Sequence, residues 1–132
     1  MKLHHNLDLK FHHVTQVSWN DACAYCEFYN KTLPSEVQWE YAASERGEKK
    51  NQLYYWGNEL IVDNKYMCNT WTSGYPENIS SQDGFKYTSP IGYFDSNSLG
   101  IFDMSGNVWE WCYNWHLPYE GNYQIFPTDL QG

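Results

Sequence analysis

Basic side chains are scarce in this chain: eight lysines and arginines stand against sixteen aspartates and glutamates in 132 residues, a formal charge of −8. With no basic stripe to release counterions from a phosphate backbone, nucleic-acid binding and adsorption to anionic membranes are excluded as primary roles, and divalent cations are the better electrostatic match. Long apolar runs are missing as well. No stretch approaches the ~20 residues that span a bilayer, and Met1-Lys2-Leu3-His4-His5-Asn6 lacks the hydrophobic centre of a secretory leader. The sequence as written predicts a soluble chain with no membrane partner and leaves its compartment open.

Cysteine is sparse, and Cys23, Cys26, Cys68 and Cys112 do not have zinc-pair spacing. Cys23-Ala24-Tyr25-Cys26 matches a redox dithiol in spacing, but such pairs sit at a helix N-terminus where the dipole lowers one thiol pKa. This pair lies a turn or more inside a predicted helix. It reads as two small apolar residues on the buried face, with one thiol still able to bridge to a distant cysteine. The doublets His4-His5 and His12-His13 read as surface histidines ahead of a metal site.

What the chain has in quantity is aromatic rings. Seven Trp, twelve Tyr and six Phe make up 19% of it, which predicts a core of large, flat, partly polar side chains. The length suits one domain burying about two-thirds of its unfolded surface. Phe11, Val14 and Val17 are spaced for a short entering strand. Ser18-Trp19-Asn20-Asp21 has the form of a capping box, and Trp19, Ala22, Cys23, Cys26 and Tyr29 or Asn30 continue it as a helix with one buried stripe. After Pro34, Ser35-Glu36-Val37-Gln38 is a second capping box. Its helix runs through Trp39, Tyr41, Ala42 and Ala43 to an end at Glu45-Arg46-Gly47. Glu36, Glu40 and Glu45 read as its solvated face, with Glu40 alternatively anchoring a loop.

From Lys49 to Gly100 regular periodicity is absent. Turn signals recur at Trp56-Gly57-Asn58, Ser73-Gly74-Tyr75-Pro76, Asp83-Gly84 and Ser98-Leu99-Gly100. So long an irregular stretch in one domain needs pinning by ions, disulfides or side-chain bonds to backbone. Asn78-Ile79-Ser80 is a glycosylation sequon. In Asp103-Met104-Ser105-Gly106-Asn107-Val108-Trp109-Glu110-Trp111-Cys112, Ser-Gly-Asn predicts a turn. An extended segment follows, with Val108, Glu110 and Cys112 on one face and Trp109 and Trp111 packed on the other. A carboxylate between indoles needs a partner, a cation or an arginine. Pro118, Gly121 and Pro127 punctuate an irregular tail.

Four blocks in unbroken order, Val14-Thr15-Gln16-Val17-Ser18-Trp19-Asn20-Asp21-Ala22, Leu33-Pro34-Ser35-Glu36 with Trp39-Glu40-Tyr41-Ala42-Ala43, Trp56-Gly57-Asn58, and Gly106-Asn107-Val108-Trp109-Glu110-Trp111, resemble the formylglycine-generating enzyme, or sulfatase-modifying factor, family. The resemblance implies an α+β fold of low regular secondary structure, related to C-type lectin folds: two helices near the N-terminus, then long loops and short strands. It places an incomplete family domain at 12–118, an N-terminal extension at 1–11 and an irregular tail at 119–132.

Calcium ions stiffen the loops of that family. One set of ligands would be Asn69, Thr70, Asp83 and Phe85, with Thr70 and Phe85 giving carbonyls. A second would be Asp103, Gly106, Val108 and Glu110, with Gly106 and Val108 giving carbonyls. Aspartate at 103, where an amide is common, adds charge that favours calcium. The family oxidises a cysteine of a sulfatase polypeptide, within a Cys-x-Pro-x-Arg segment, to formylglycine, using oxygen and a copper(I) ion held by two cysteines. Those lie in a Gly-Gly-Ser block and its continuation that this sequence does not contain. No catalytic residue is therefore assigned, and Cys112 is not one of the pair. Cys26 matches a cysteine that in some members bridges to a C-terminal partner. Expected roles are a partial domain inactive alone, a non-catalytic lectin-like binding module, or a piece completed by another chain. The compartment would be the endoplasmic reticulum lumen for a eukaryotic relative with a missing N-terminus, and the cytoplasm otherwise.

Overall fold

Ser18 and Ser35 each start a helix as their capping boxes predict. In the computed structural model, which describes residues 7–45, 47, 51–72 and 81–115, the Ser18 hydroxyl accepts from the Asp21 amide at 3.2 Å and the Asp21 carboxylate accepts from the Ser18 amide at 2.9 Å. The Ser18 hydroxyl, donating to the same carboxylate at 2.7 Å, and then the Ser18 amide hold the Asp21 carboxyl below its ordinary pKa. Ser35 and Gln38 repeat the exchange at 3.2 and 2.8 Å. The helices are α1, Trp19–Phe28, and α2, Glu36–Ala43. At ten and eight residues, both are too short to persist without packing.

That packing differs from the predicted one. Among the described residues the buried hydrophobics are Cys68 and Met104, while Ser35, Glu45, Asn69, Asp83, Ser89, Asn97 and Asp103 are buried and polar. The stripe on α1 exists, but Ala22, Cys23 and Cys26 are only half-buried and Trp19 and Tyr29 are exposed. The expected aromatic core is likewise absent from the described residues. Trp109 is fully exposed, as is most of Trp115. The interior is instead an array of loops held by polar side chains.

Asn97 is the clearest example. Its Nδ2 donates to the Ala42 carbonyl at 2.9 Å, and its Oδ1 accepts from the amides of Leu99 and Ile101. It thereby ties the C-terminal end of α2 to a loop that turns at Gly100 (φ +75°). Glu45 works beside it. Sequence reasoning places Glu45 on a solvated face, whereas it is buried with positive φ, and its Oε1 accepts from the Ser98 amide at 2.6 Å. Helix α2 ends at Ala43 with Ser44 as cap, so Glu45 has left the helix and turns inward. Glu45 is thus a loop anchor, and Glu40 stays exposed.

The N-terminal strand expected over Phe11, Val14 and Val17 is not formed. Leu7–Phe11 is a 3-10 turn, followed by one isolated bridge between His12 and Pro90. The His12 ring bonds Thr88 at 2.8 Å and the His13 ring bonds Asp103 at 3.2 Å. Both histidines are half-buried structural groups, not free surface ones. A hairpin went unpredicted: β1 (Ile61–Val62) pairs antiparallel with β2 (Lys65–Tyr66). Asp63 and Asn64 between them have φ of +49° and +60°, which is the I′ geometry that Asp and Asn tolerate best.

Gly106 and Asn107, with φ of +81° and +64°, make the predicted turn. The residues that follow join no strand. Val108 and Cys112 are half-buried, but Glu110 is exposed along with Trp109 and Trp111, so the expected alternation breaks at Glu110 and the tryptophans are not the packed side. The 73–76 turn, the sequon, His4-His5, Arg46 and the Pro118 to Pro127 tail lie outside the described residues. No helix among the described residues is long and apolar enough to cross a membrane.

Candidate metal centre

Asp83 organises the first set of predicted ligands. Its Oδ2 accepts from the Thr70 amide at 2.9 Å and its Oδ1 from the Phe85 amide at 3.0 Å. One carboxylate thereby draws together two segments thirteen residues apart. Gly84, with φ +98°, permits the tight return from Asp83 to Phe85. Asp83 is buried, and no basic side chain pairs with it among the described residues. Its hydrogen-bond partners are two amide N–H groups, and a carboxylate is also a hard-oxygen ligand for a cation.

Asn69 is buried one residue before Thr70, and its Nδ2 donates to the Tyr87 carbonyl at 2.7 Å. By donor type the expected set, the Asp83 carboxylate, the Asn69 side-chain oxygen and the Thr70 and Phe85 carbonyls, would be hard oxygens that suit calcium and not a transition metal. The structure brings Asp83 against the amides of Thr70 and Phe85, and no three His, Cys, Asp or Glu side chains converge among the described residues.

The second set is less gathered. Asp103 spends its Oδ2 on the His13 ring and the Gly92 amide, both at 3.2 Å. Glu110 accepts the indole N–H of Trp39, from α2. The carboxylates of Asp103 and Glu110 share no hydrogen-bond partner. Gly106 lies instead against the first set, beside the Asn69 carbonyl, and the Asn107 amide donates to that carbonyl at 2.9 Å. Val108, with Asn69, Thr70, Phe85, Trp71 and Trp109, lines an open groove of about 660 Å³.

The thiols are shifted by their surroundings. Burial, then Asp83, pushes the Cys68 thiol up to about 11. Burial, then Glu36, Glu110 and Glu40, raises Cys112, and burial, then Glu27 and Cys26, raises Cys23. None of the three therefore has the lowered value of a reactive cysteine. All four cysteines are free, including Cys26.

Sequence reasoning missed Asn107 as more than a turn residue, although an asparagine between the expected ligands Gly106 and Val108 was the available signal. It also missed Asn97 and His13, whose partners are remote in sequence.

Residues 4–128 match the family described as the sulfatase-modifying factor enzyme 1-like domain. A formylglycine-generating enzyme of Thermomonospora curvata is 43% identical over 104 residues, covering 79% of this chain and 34% of that protein. The Mus musculus protein of the same name is 42% identical over 104 residues, 79% of this chain and 27% of its own. A Bos taurus protein named inactive C-alpha-formylglycine-generating enzyme 2 is 44% identical over 99 residues, 74% of this chain and 31% of its own. The chain thus spans about a third of the length of the curated relatives it matches. With two short helices, one small hairpin and loops pinned by buried polar groups, it belongs to the formylglycine-generating enzyme, or sulfatase-modifying factor, family.

Proposed function

We propose that this chain is a calcium-stiffened portion of a formylglycine-generating domain, serving the maturation of a sulfatase polypeptide by oxidation of one of its cysteines. The observation that carries the calcium part is the buried Asp83 carboxylate between the Thr70 and Phe85 amides, with no basic partner among the described residues. Asn69, Thr70, Asp83 and Phe85 would hold the ion, with Asp103, Gly106, Val108 and Glu110 as a second set. Bound calcium would supply no redox chemistry; it would fix loops that bury little apolar surface among the described residues.

The oxidation itself requires a copper-holding thiolate pair. These 132 residues carry no cysteine after Cys112, where the resemblance expects the pair. The chain alone therefore does not convert a Cys-x-Pro-x-Arg peptide. Mass spectrometry of such a peptide incubated with the chain, copper and oxygen tests this: unchanged cysteine is expected, and formation of an aldehyde would overturn it.

A second reading is a non-catalytic binding module with a lectin-like relationship. It is favoured by the exposed indoles of Trp109 and Trp71 on the groove and by relatives that bear the name inactive. Binding of a peptide or glycan with quenching of Trp fluorescence, in the absence of turnover, would support it.

A further inference from the structure

We propose that Asn107, which is not among the expected calcium ligands, is the positioning residue that fixes the amide of Asn69 with its oxygen available to the ion. This rests on the calcium reading above.

A side-chain amide has one acceptor and two donor directions, and which end meets a cation depends on what occupies the N–H groups. At Asn69 two acceptors lie within reach of Nδ2: the Tyr87 carbonyl at 2.7 Å and the Asn107 Oδ1 at 3.4 Å. With both N–H groups directed to those acceptors, no hydrogen bond among the described residues occupies Oδ1. Asn107 also holds the backbone of the same residue, its amide donating to the Asn69 carbonyl at 2.9 Å. It is itself fixed by a reciprocal pair with Ser89, whose amide donates to Asn107 Oδ1 at 3.1 Å and whose carbonyl accepts from Asn107 Nδ2 at 3.3 Å. Asn107 therefore couples the loop carrying Gly106 and Val108 to the ligand Asn69, thirty-eight residues away.

Outer groups that orient a metal ligand change affinity about 10- to 100-fold when removed. Two variants separate orientation from simple stability. N107G keeps the positive φ without strain and loses the amide; N107D keeps the acceptor for Asn69 but gives up the donor to the Ser89 carbonyl. Calcium titration by calorimetry, with thermal unfolding in chelator and in excess calcium, is the measurement. The expected result is a calcium affinity in N107G at least ~10-fold weaker, with N107D weakened less than N107G. The rise in Tm on adding calcium should shrink more in N107G than in N107D. An N107G that loses Tm equally with and without calcium, at unchanged affinity, would reduce Asn107 to a structural role and overturn the proposal. Where N107G does not fold, the amide exchange of the parent decides. In the parent, exchange of the Asn69 side-chain amide followed by NMR should show both protons protected; one unprotected proton also overturns it. A parent that binds no calcium rejects the calcium reading itself, and the proposal with it.

Discussion

Gly106 lies against the carbonyl of Asn69 so closely that a β-carbon on Gly106 would fall 2.1 Å from that oxygen. Its φ of +81° is also one that L side chains rarely adopt. Gly106→Ala therefore meets a backbone clash and an unfavourable dihedral together, and should destabilise the chain by roughly 2 kcal/mol or more. Urea unfolding of the two proteins checks it, and equal midpoints would show that the contact relaxes freely.

Asp83→Asn should separate charge from hydrogen bonding. The substituted side chain retains one oxygen for an amide but carries no charge to attract a cation. Its gain in Tm from chelator to excess calcium should be smaller than the parent's, the remainder coming from the second ligand set. Calorimetric scans in both conditions are the check.

Asn97→Ala removes three hydrogen bonds from a buried site and strands the Leu99 and Ile101 amides. A loss of about 2–3 kcal/mol is expected. Trp109→Ala removes a far larger side chain that is fully exposed, and should change stability by no more than about 0.5 kcal/mol. The order of these two effects, read from denaturant midpoints, is opposite to what side-chain size would give.

Tyr55 donates its hydroxyl to the Asp95 carbonyl. Burial first, then Asp95, Cys68, Asp103 and Glu45, pushes its pKa up from 10.0 to about 12. A raised value on this acid means that the unfolded chain ionises first. The folded state holds its full advantage below pH 10 and loses it as pH climbs toward 12. Unfolding free energy should fall across that interval, and Tyr55→Phe should flatten the fall. A parallel slope in the variant would assign the alkaline loss to other groups.

The legible parts of this chain were its local ones. Ser18 with Asp21 and Ser35 with Gln38 interact three residues apart, so their chemistry can be read from spacing alone. The Asp63-Asn64 turn was equally local, but two-residue strands are too short to show a period. Glu45 could not be assigned from its helix because its partner, Ser98, lies 53 residues on. The same holds for Trp39 and Glu110, 71 apart. The candidate site came from resemblance and not from pattern: Asp83 reads locally as a turn residue, and its buried charge is visible only once Thr70 and Phe85 are folded onto it. The aromatic core failed as an expectation because composition counts rings without saying what covers them.

Among the described residues, seven other than glycine hold positive φ: Gln16, Asn30, Glu45, Asp63, Asn64, Asp103 and Asn107, five of them Asn or Asp. No residue of α1 or α2 is fully buried. Together these reverse the usual distribution of mutational tolerance. In a saturation scan scored for folded protein, the helices should accept most substitutions that preserve Ser18 and Ser35. The irregular segments should reject β-branched residues at those seven positions. In this chain hereditary constraint belongs to the turns, and the regular elements are where sequence is free to drift.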